Sequence, residues 1–134
     1  SETCVMQRLR SAARAVTQIY EAKLTEVDLT AGQFSTLVAI ARQEGVTVSI
    51  LAERLGMDRT TVTRALAPLE RRGIVRIGAS TKDSRAKAVF LEREGRELLD
   101  KAIPKWTEAQ TRVTAGLSDG QWDTLKEDIS RLTT

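Results

Sequence analysis

The sequence contains no histidine, a single cysteine and only two prolines. Without histidine it lacks the commonest general base and the commonest zinc ligand of proteins. One cysteine, Cys4, cannot form an internal disulfide or a cysteine-rich metal site. There is also no glycine-rich phosphate loop and no serine or cysteine in a recognised nucleophile motif. We therefore expect a protein that is not an enzyme and holds neither a metal nor a cofactor.

Long hydrophobic runs are absent as well. The longest apolar stretches are far too short to cross a membrane. Residues 1–4 have neither the basic region nor the apolar run of a signal peptide, so we expect a cytoplasmic protein without a membrane partner. A chain of 134 residues with 41% hydrophobic content favours one domain, residues 1–134, that is large enough to bury a core.

Positive charge is concentrated in the middle of the chain. Residues 53–87 contain nine basic and four acidic residues, a net charge of +5. The rest of the chain has 12 basic and 14 acidic residues, a net charge of −2. Fifteen of the 21 basic residues are arginine, which favours bidentate contacts. This asymmetry indicates that one face binds a polyanion.

Two short helices in this region predict a helix-turn-helix. Thr47 is a plausible cap for the first helix, and Gly56 ends it. Asp58 caps the second, whose apolar positions follow at helical spacing. Thr60, Arg64 and Arg71 point the opposite way, with Thr63 on the flank, as a helix in a DNA major groove requires. The alternative is an ordinary helical hairpin. Pro68 should bend the second helix or break it at Ala67.

The next segment predicts a β-hairpin with a basic tip. Residues 74–77 and 88–91 have strand character, and the segment between them is polar. A hairpin directly after a helix-turn-helix is a wing, and its tip could place Arg85 in a minor groove. The alternative is a solvated hairpin without a partner.

Four further helices flank this region. Residues 4–24 and 93–117 have long apolar stripes, and Pro104 should kink the second helix. Capping boxes begin the helices that follow Thr30 and Ser118. Because these stripes need a surface to cover them, we expect a symmetric dimer.

The order of these elements resembles the MarR family of bacterial transcription regulators. The segments that carry the resemblance are residues 29–34 (LTAGQF), 51–57 (LAERLGM), 62–64 (VTR), 69–75 (LERRGIV) and 83–85 (DSR). The resemblance implies a mainly α (α+β) fold, with a winged helix-turn-helix at 29–92 and dimerisation helices at 1–28 and 93–134. It also implies a homodimer on a pseudo-palindromic DNA operator, acting mostly as a repressor. Release by a small, often aromatic or phenolic, effector is a further implication.

The resemblance places the recognition helix at residues 59–72. It also implies that Asp83 holds Arg85 for the minor groove. Ala86 stands where the family often has an acidic residue, and Glu92 replaces a capping threonine. The candidate DNA-binding residues are Arg59, Thr60, Thr61, Thr63, Arg64, Arg71, Lys82, Asp83, Arg85 and Lys87.

Two alternatives to a ligand-released repressor remain open. One branch of the family senses organic hydroperoxides through a cysteine on the first helix, so Cys4 could make this chain a redox sensor. Arg8 lies one helical turn from that thiol, but counting back from Leu29 places the family's cysteine nearer Met6. The other alternative is a winged helix that binds a protein instead of DNA.

Overall fold

The computed structural model describes residues 3–134. Ser1 and Glu2, which belong to the segment 1–4 that lacks signal-peptide features, lie outside the described residues. Six helices and three strands follow one another. They are α1 (Val5–Leu24), α2 (Ala31–Arg42), β1 (Val46–Thr47), α3 (Val48–Leu55), α4 (Arg59–Arg71), β2 (Val75–Ala79), β3 (Lys87–Leu91), α5 (Arg93–Thr114) and α6 (Asp119–Arg131). A 3-10 turn, Thr25–Val27, follows α1. No helix within residues 3–134 is long and apolar enough to span a membrane.

The caps predicted from the sequence are present. Thr30 and Ser118 both form complete capping boxes. Each cap hydroxyl accepts from the backbone N–H of Gln33 or Gln121, and the side-chain oxygen of that glutamine accepts from the backbone N–H of the cap residue. The Thr47 hydroxyl accepts from the Ile50 N–H at 3.2 Å. Each cap satisfies a backbone donor that the first helical turn leaves unpaired. The capping residues in the sequence therefore predict the starts of these helices correctly.

Helix α2 ends at Arg42, where Gln43 adopts an extended conformation that leads into β1. Two predicted helix ends need correction. A break of α4 at Ala67 is wrong, since the helix continues through Pro68 to Arg71. Helix α5 ends at Thr114 and not at Leu117, although it does contain Pro104. The bends expected at the two prolines stay predictions.

The strands form one antiparallel sheet in the order β1-β3-β2. Strands β2 and β3 are the predicted hairpin, paired from Val75↔Leu91 to Ala79↔Lys87. They are longer at the tip than the predicted segments. Strand β1 adds only two pairs, of which Val46↔Val89 is one. This third strand pairs the segment that follows α2 with the wing.

The core lies between the helix-turn-helix and the sheet. Helices α2, α3 and α4 contribute Leu37, Ile40, Leu51, Val62, Leu66 and Leu69, all fully buried. Helix α5 adds Leu99 and Ala102 from its first half. In contrast, α1 buries only Leu24, and α6 buries none of its residues within the chain. Several apolar side chains of α1 and α6 are therefore uncovered in a single copy.

A close backbone contact joins α5 to the strand β2. The Glu92 N–H donates to the Ile74 carbonyl at 2.9 Å. One turn later, Gly95 is buried, and a Cβ atom built on it would lie 2.3 Å from the same carbonyl oxygen. Only a hydrogen fits at this position, so the glycine permits the close approach of the helix.

We expect Gly95→Ala to destabilise the protein by about 1–3 kcal/mol, the usual cost of overpacking, because the contacted atom is backbone and cannot rotate away. Chemical denaturation measures the loss. Gly120→Ala is the matched control, since a Cβ there meets no atom within 4 Å and alanine favours the helix. Equal stability of Gly95→Ala and the wild type would contradict this packing.

Candidate nucleic-acid interface

The turn before α4 sets where that helix begins. Gly56 adopts a left-handed conformation with φ 66°, and the Met57 N–H donates to the Ala52 carbonyl at 2.9 Å. The Asp58 carboxylate then accepts from the Thr61 backbone N–H at 2.7 Å. This hydrogen bond lowers the pKa of the Asp58 carboxyl from its usual value. Helices α3 and α4 thus form the predicted helix-turn-helix.

Helix α4 has one apolar and one polar face. Val62, Leu66 and Leu69 are fully buried against the core. Because three- and four-residue steps return to the same side of a helix, these anchors turn the other face outward. The candidate residues on α4 are all exposed: Arg59, Thr60, Thr61, Thr63, Arg64 and Arg71. The structure therefore brings them together on one solvent-facing surface.

The arginines of this surface are without ionic partners in the described part of the chain. Arg59, Arg64 and Arg71 form no ion pair with any residue in 3–134. On α5, in contrast, Arg93 pairs with Glu97, and Arg96 pairs with Glu44. Unpaired guanidinium groups keep all their donors available for phosphates or guanine edges.

The wing tip holds Asp83 and Arg85 together. One Asp83 carboxylate oxygen accepts from the Arg85 backbone N–H at 3.0 Å and lies 3.5 Å from the Arg85 Nε atom. The Arg85 side chain remains 91% exposed. Lys82 and Lys87 are also exposed on this hairpin. Contacts of these residues with DNA stay a prediction.

Sequence reasoning missed the residue that shapes this tip. The buried Ser80 hydroxyl accepts from the backbone N–H groups of Lys82 and Asp83, at 3.2 and 3.4 Å. The Ser80 N–H in turn donates to the Ala86 carbonyl at 2.9 Å. A serine within a polar tract gives no local signal for this role, because its partners depend on how the hairpin closes.

A cavity of about 870 Å³ lies between α1 and α5 on one side and α2 and α3 on the other. Its lining includes Phe34 and Trp106, which stack with ring centroids 6.4 Å apart. Arg42 and Arg54 supply positive charge. Tyr20 also lines the cavity and donates its hydroxyl to Gln110, and burial raises the pKa of its phenol. Its volume lies within the range of known small-molecule sites, which are also lined mainly by apolar side chains.

Comparison with known proteins identifies the family. The MarR family model matches residues 27–86. The transcriptional regulator MosR of M. tuberculosis is 39% identical, over 97% of this chain and 93% of its own, with a TM-score of 0.83. The chain belongs to the MarR family. MosR has also been solved with DNA, in a structure 41% identical over 96% of this chain and 92% of its own, with a TM-score of 0.84.

Two other transcription regulators are similar over most of their length. The HTH-type transcriptional regulator YybA of Bacillus subtilis is 27% identical over 84% of this chain and 83% of its own. The transcriptional repressor CouR, solved bound to a 23-mer DNA duplex, is 25% identical over 99% of this chain and 94% of its own, with a TM-score of 0.92. This MarR protein is accordingly a DNA-binding transcription regulator with a winged helix, and not an enzyme.

Cys4 lies immediately before α1 in this MarR protein. It is half-buried, and its carbonyl accepts from the Arg8 N–H at 3.0 Å. Its side chain makes no capping hydrogen bond. Redox sensing through this thiol stays a hypothesis.

The Asp58 cap gives a prediction for pH. A lowered carboxyl pKa adds stability that is present above the unfolded pKa and is lost as pH falls through the folded pKa. Asp58→Asn keeps a capping oxygen but does not titrate. Its difference in melting temperature from the wild type should therefore shrink as pH falls below about 4, near the unfolded pKa of an aspartate. A difference that is constant or grows toward acid would contradict the assignment.

Proposed function

We propose that the protein is a homodimeric repressor that reads a pseudo-palindromic DNA operator with α4 and the wing. The exposed face of α4, with unpaired arginines opposite three fully buried anchors, is the observation that supports it. Thr60, Thr63 and Arg64 contact base edges in the major groove, and Arg59 and Arg71 lie nearer the phosphates. Thr61 adds a hydroxyl on the same helix.

The wing adds a second set of contacts. Arg85 enters the minor groove, where narrow A·T tracts attract arginine, and Asp83 restricts its conformations. Lys82 and Lys87 neutralise phosphates on either side. The solved DNA complexes of MosR and CouR support DNA binding by a chain of this fold.

The uncovered helices support a dimer. On α6, Leu125, Ile129 and Leu132 are 40%, 43% and 54% exposed, and Val5, Met6 and Leu9 of α1 are also exposed. A second copy would bury these apolar side chains and relate two α4 helices by a twofold axis. Residues 1–28 and 93–134 then serve as dimerisation helices around a winged helix at 29–92. Twofold symmetry in the protein requires a pseudo-palindromic operator.

A small effector would act at the cavity. An aromatic or phenolic molecule would lie against the Phe34 and Trp106 rings and near the Tyr20 hydroxyl. Arg42 and Arg54 are available to pair with an acidic group of that molecule. Since the cavity separates α1 and α5 from α2 and α3, occupancy would favour another spacing of the two DNA-binding lobes. A ligand shifts this equilibrium only by its differential affinity for the two arrangements.

Base reading by α4 is tested with Arg64→Ala. We expect affinity for the operator, selected from random DNA, to fall by about 1–3 kcal/mol and the preference at one base position to relax. Arg14→Ala on α1 is the matched control, because Arg14 is also exposed and unpaired within residues 3–134. Equal loss on all sequences would leave only a phosphate contact. Absence of duplex binding at low salt would favour the protein-interaction alternative.

The dimer is tested with Ile129→Glu, which places a charge in the uncovered apolar stripe of α6. We expect sedimentation to give the monomer mass and operator affinity to collapse, while the helical circular dichroism remains, because Ile129 is already exposed within one chain. Ser130→Glu adds the same charge about 100° around the helix and should remain dimeric. A dimeric Ile129→Glu variant would contradict this interface.

A further inference from the structure

Glu44 joins three segments at the base of the wing. It lies two residues beyond the end of α2. One carboxylate oxygen, Oε1, accepts from the Leu91 backbone N–H at 2.7 Å. The other, Oε2, lies 3.0 Å from the Arg96 Nη2 atom. A single side chain therefore connects the end of α2 to the last residue of β3 and to the first turn of α5.

The short β1 strand explains why Leu91 needs this acceptor. Strand β1 pairs with β3 only through Val46↔Val89 and Thr47↔Ala88. The Gly45 N–H still donates to the Val89 carbonyl at 3.1 Å, and then the ladder ends. Alternate residues of a strand direct their backbone groups to the same neighbour, so the Leu91 N–H would be the next donor on this edge. The Glu44 carboxylate accepts from it in place of another strand residue.

The surrounding contacts orient β3 at the same point. A Cβ atom on Gly45 would lie 3.2 Å from the Phe90 ring, which shows how closely the turn packs on the strand. The Arg76 guanidinium covers that ring at 4.3 Å from its centroid and lies 3.3 Å from Glu92. Hydrogen bonds to an ionised carboxylate are short and strong, so Glu44 is the polar anchor of this packing.

We propose that Glu44 is a positioning residue for DNA binding: it fixes the direction of β3, and hence of the wing tip that carries Arg85, relative to the helix-turn-helix. This inference rests on the wing contact proposed above. Glu44 lies at the base of the hairpin, and Arg85 lies at the tip beyond Lys87. A change of direction at the base displaces the tip by a larger distance. Glu44 itself does not contact DNA in this proposal.

The sign of the charge effect makes the proposal testable. Replacing Glu44 by alanine removes a negative charge from a DNA-binding protein, which by electrostatics alone strengthens binding. Loss of wing positioning weakens binding instead. Glu97→Ala is the matched control, because it removes another exposed acid that pairs with an arginine of α5. It should leave affinity equal or slightly higher.

The decisive experiment is a double-mutant cycle on operator DNA with Glu44→Ala and Arg85→Ala. We expect Glu44→Ala alone to weaken binding about threefold to tenfold, and to change it less than about twofold when Arg85 is already alanine. Its salt dependence should change in the same direction as that of Arg85→Ala. Glu44→Gln, which retains an acceptor for Leu91, should fall between wild type and alanine. Circular dichroism at the assay temperature confirms that each variant is folded.

The outcomes separate the inference from the function on which it rests. Wild-type affinity of Arg85→Ala would overturn the wing contact and, with it, the inference. A loss in Arg85→Ala together with an equal Glu44→Ala effect in both backgrounds would overturn the inference alone, because Glu44 would then act independently of the wing. Unchanged affinity of Glu44→Ala in the wild-type background would also overturn it.

Discussion

The attachment of the DNA-binding lobe to the long helix depends on one carbonyl oxygen, that of Ile74. It accepts a hydrogen bond from the Glu92 N–H and lies against Gly95. These two contacts fix the position and direction of the start of α5 relative to the sheet. Leu99 and Ala102 then continue into the core beside α2 and α3. The first half of α5 is consequently part of the lobe by packing, whereas its second half packs on α1.

Glu92 shows how one position serves two demands. As the residue before α5 it makes no side-chain capping hydrogen bond, as its poor capping character predicts. Its carboxylate instead pairs with Arg76, whose guanidinium packs on Phe90. The departure from a capping threonine thus replaces a local hydrogen bond within the helix by a contact with the wing. Exposed ion pairs of this kind contribute little to the free energy of unfolding. The main effect of the contact is therefore to orient the Arg76 side chain.

Much of the fold could be predicted because its signals are local. Thr30, Asp58 and Ser118 cap helices through atoms three residues away, and the stripe of α4 depends only on helical spacing. The exposed face of α4 followed from the same short-range patterns, and the Asp83–Arg85 contact at the wing tip followed from the family resemblance.

The remaining features depend on residues far apart in sequence. Glu44 contacts Leu91 across 47 positions, and β1, which follows α2, pairs with the distant strand β3. Ser80 acts only once the hairpin has closed. The residues that line the cavity belong to four helices, so no single stretch of sequence predicts the cavity. Periodicity does show which side of each helix is apolar, but not which neighbour covers it.

The stacking of Trp106 on Phe34 has a practical consequence. Trp106 is 36% exposed and lines the cavity, so a molecule that enters would change the polarity around an intrinsic fluorophore. The other tryptophan, Trp122, lies on α6 beneath the Lys126 ammonium group, away from the cavity lining. A chain with Trp122 replaced by phenylalanine would therefore carry a single optical reporter at the cavity wall, and compound libraries could be screened by emission without any added dye.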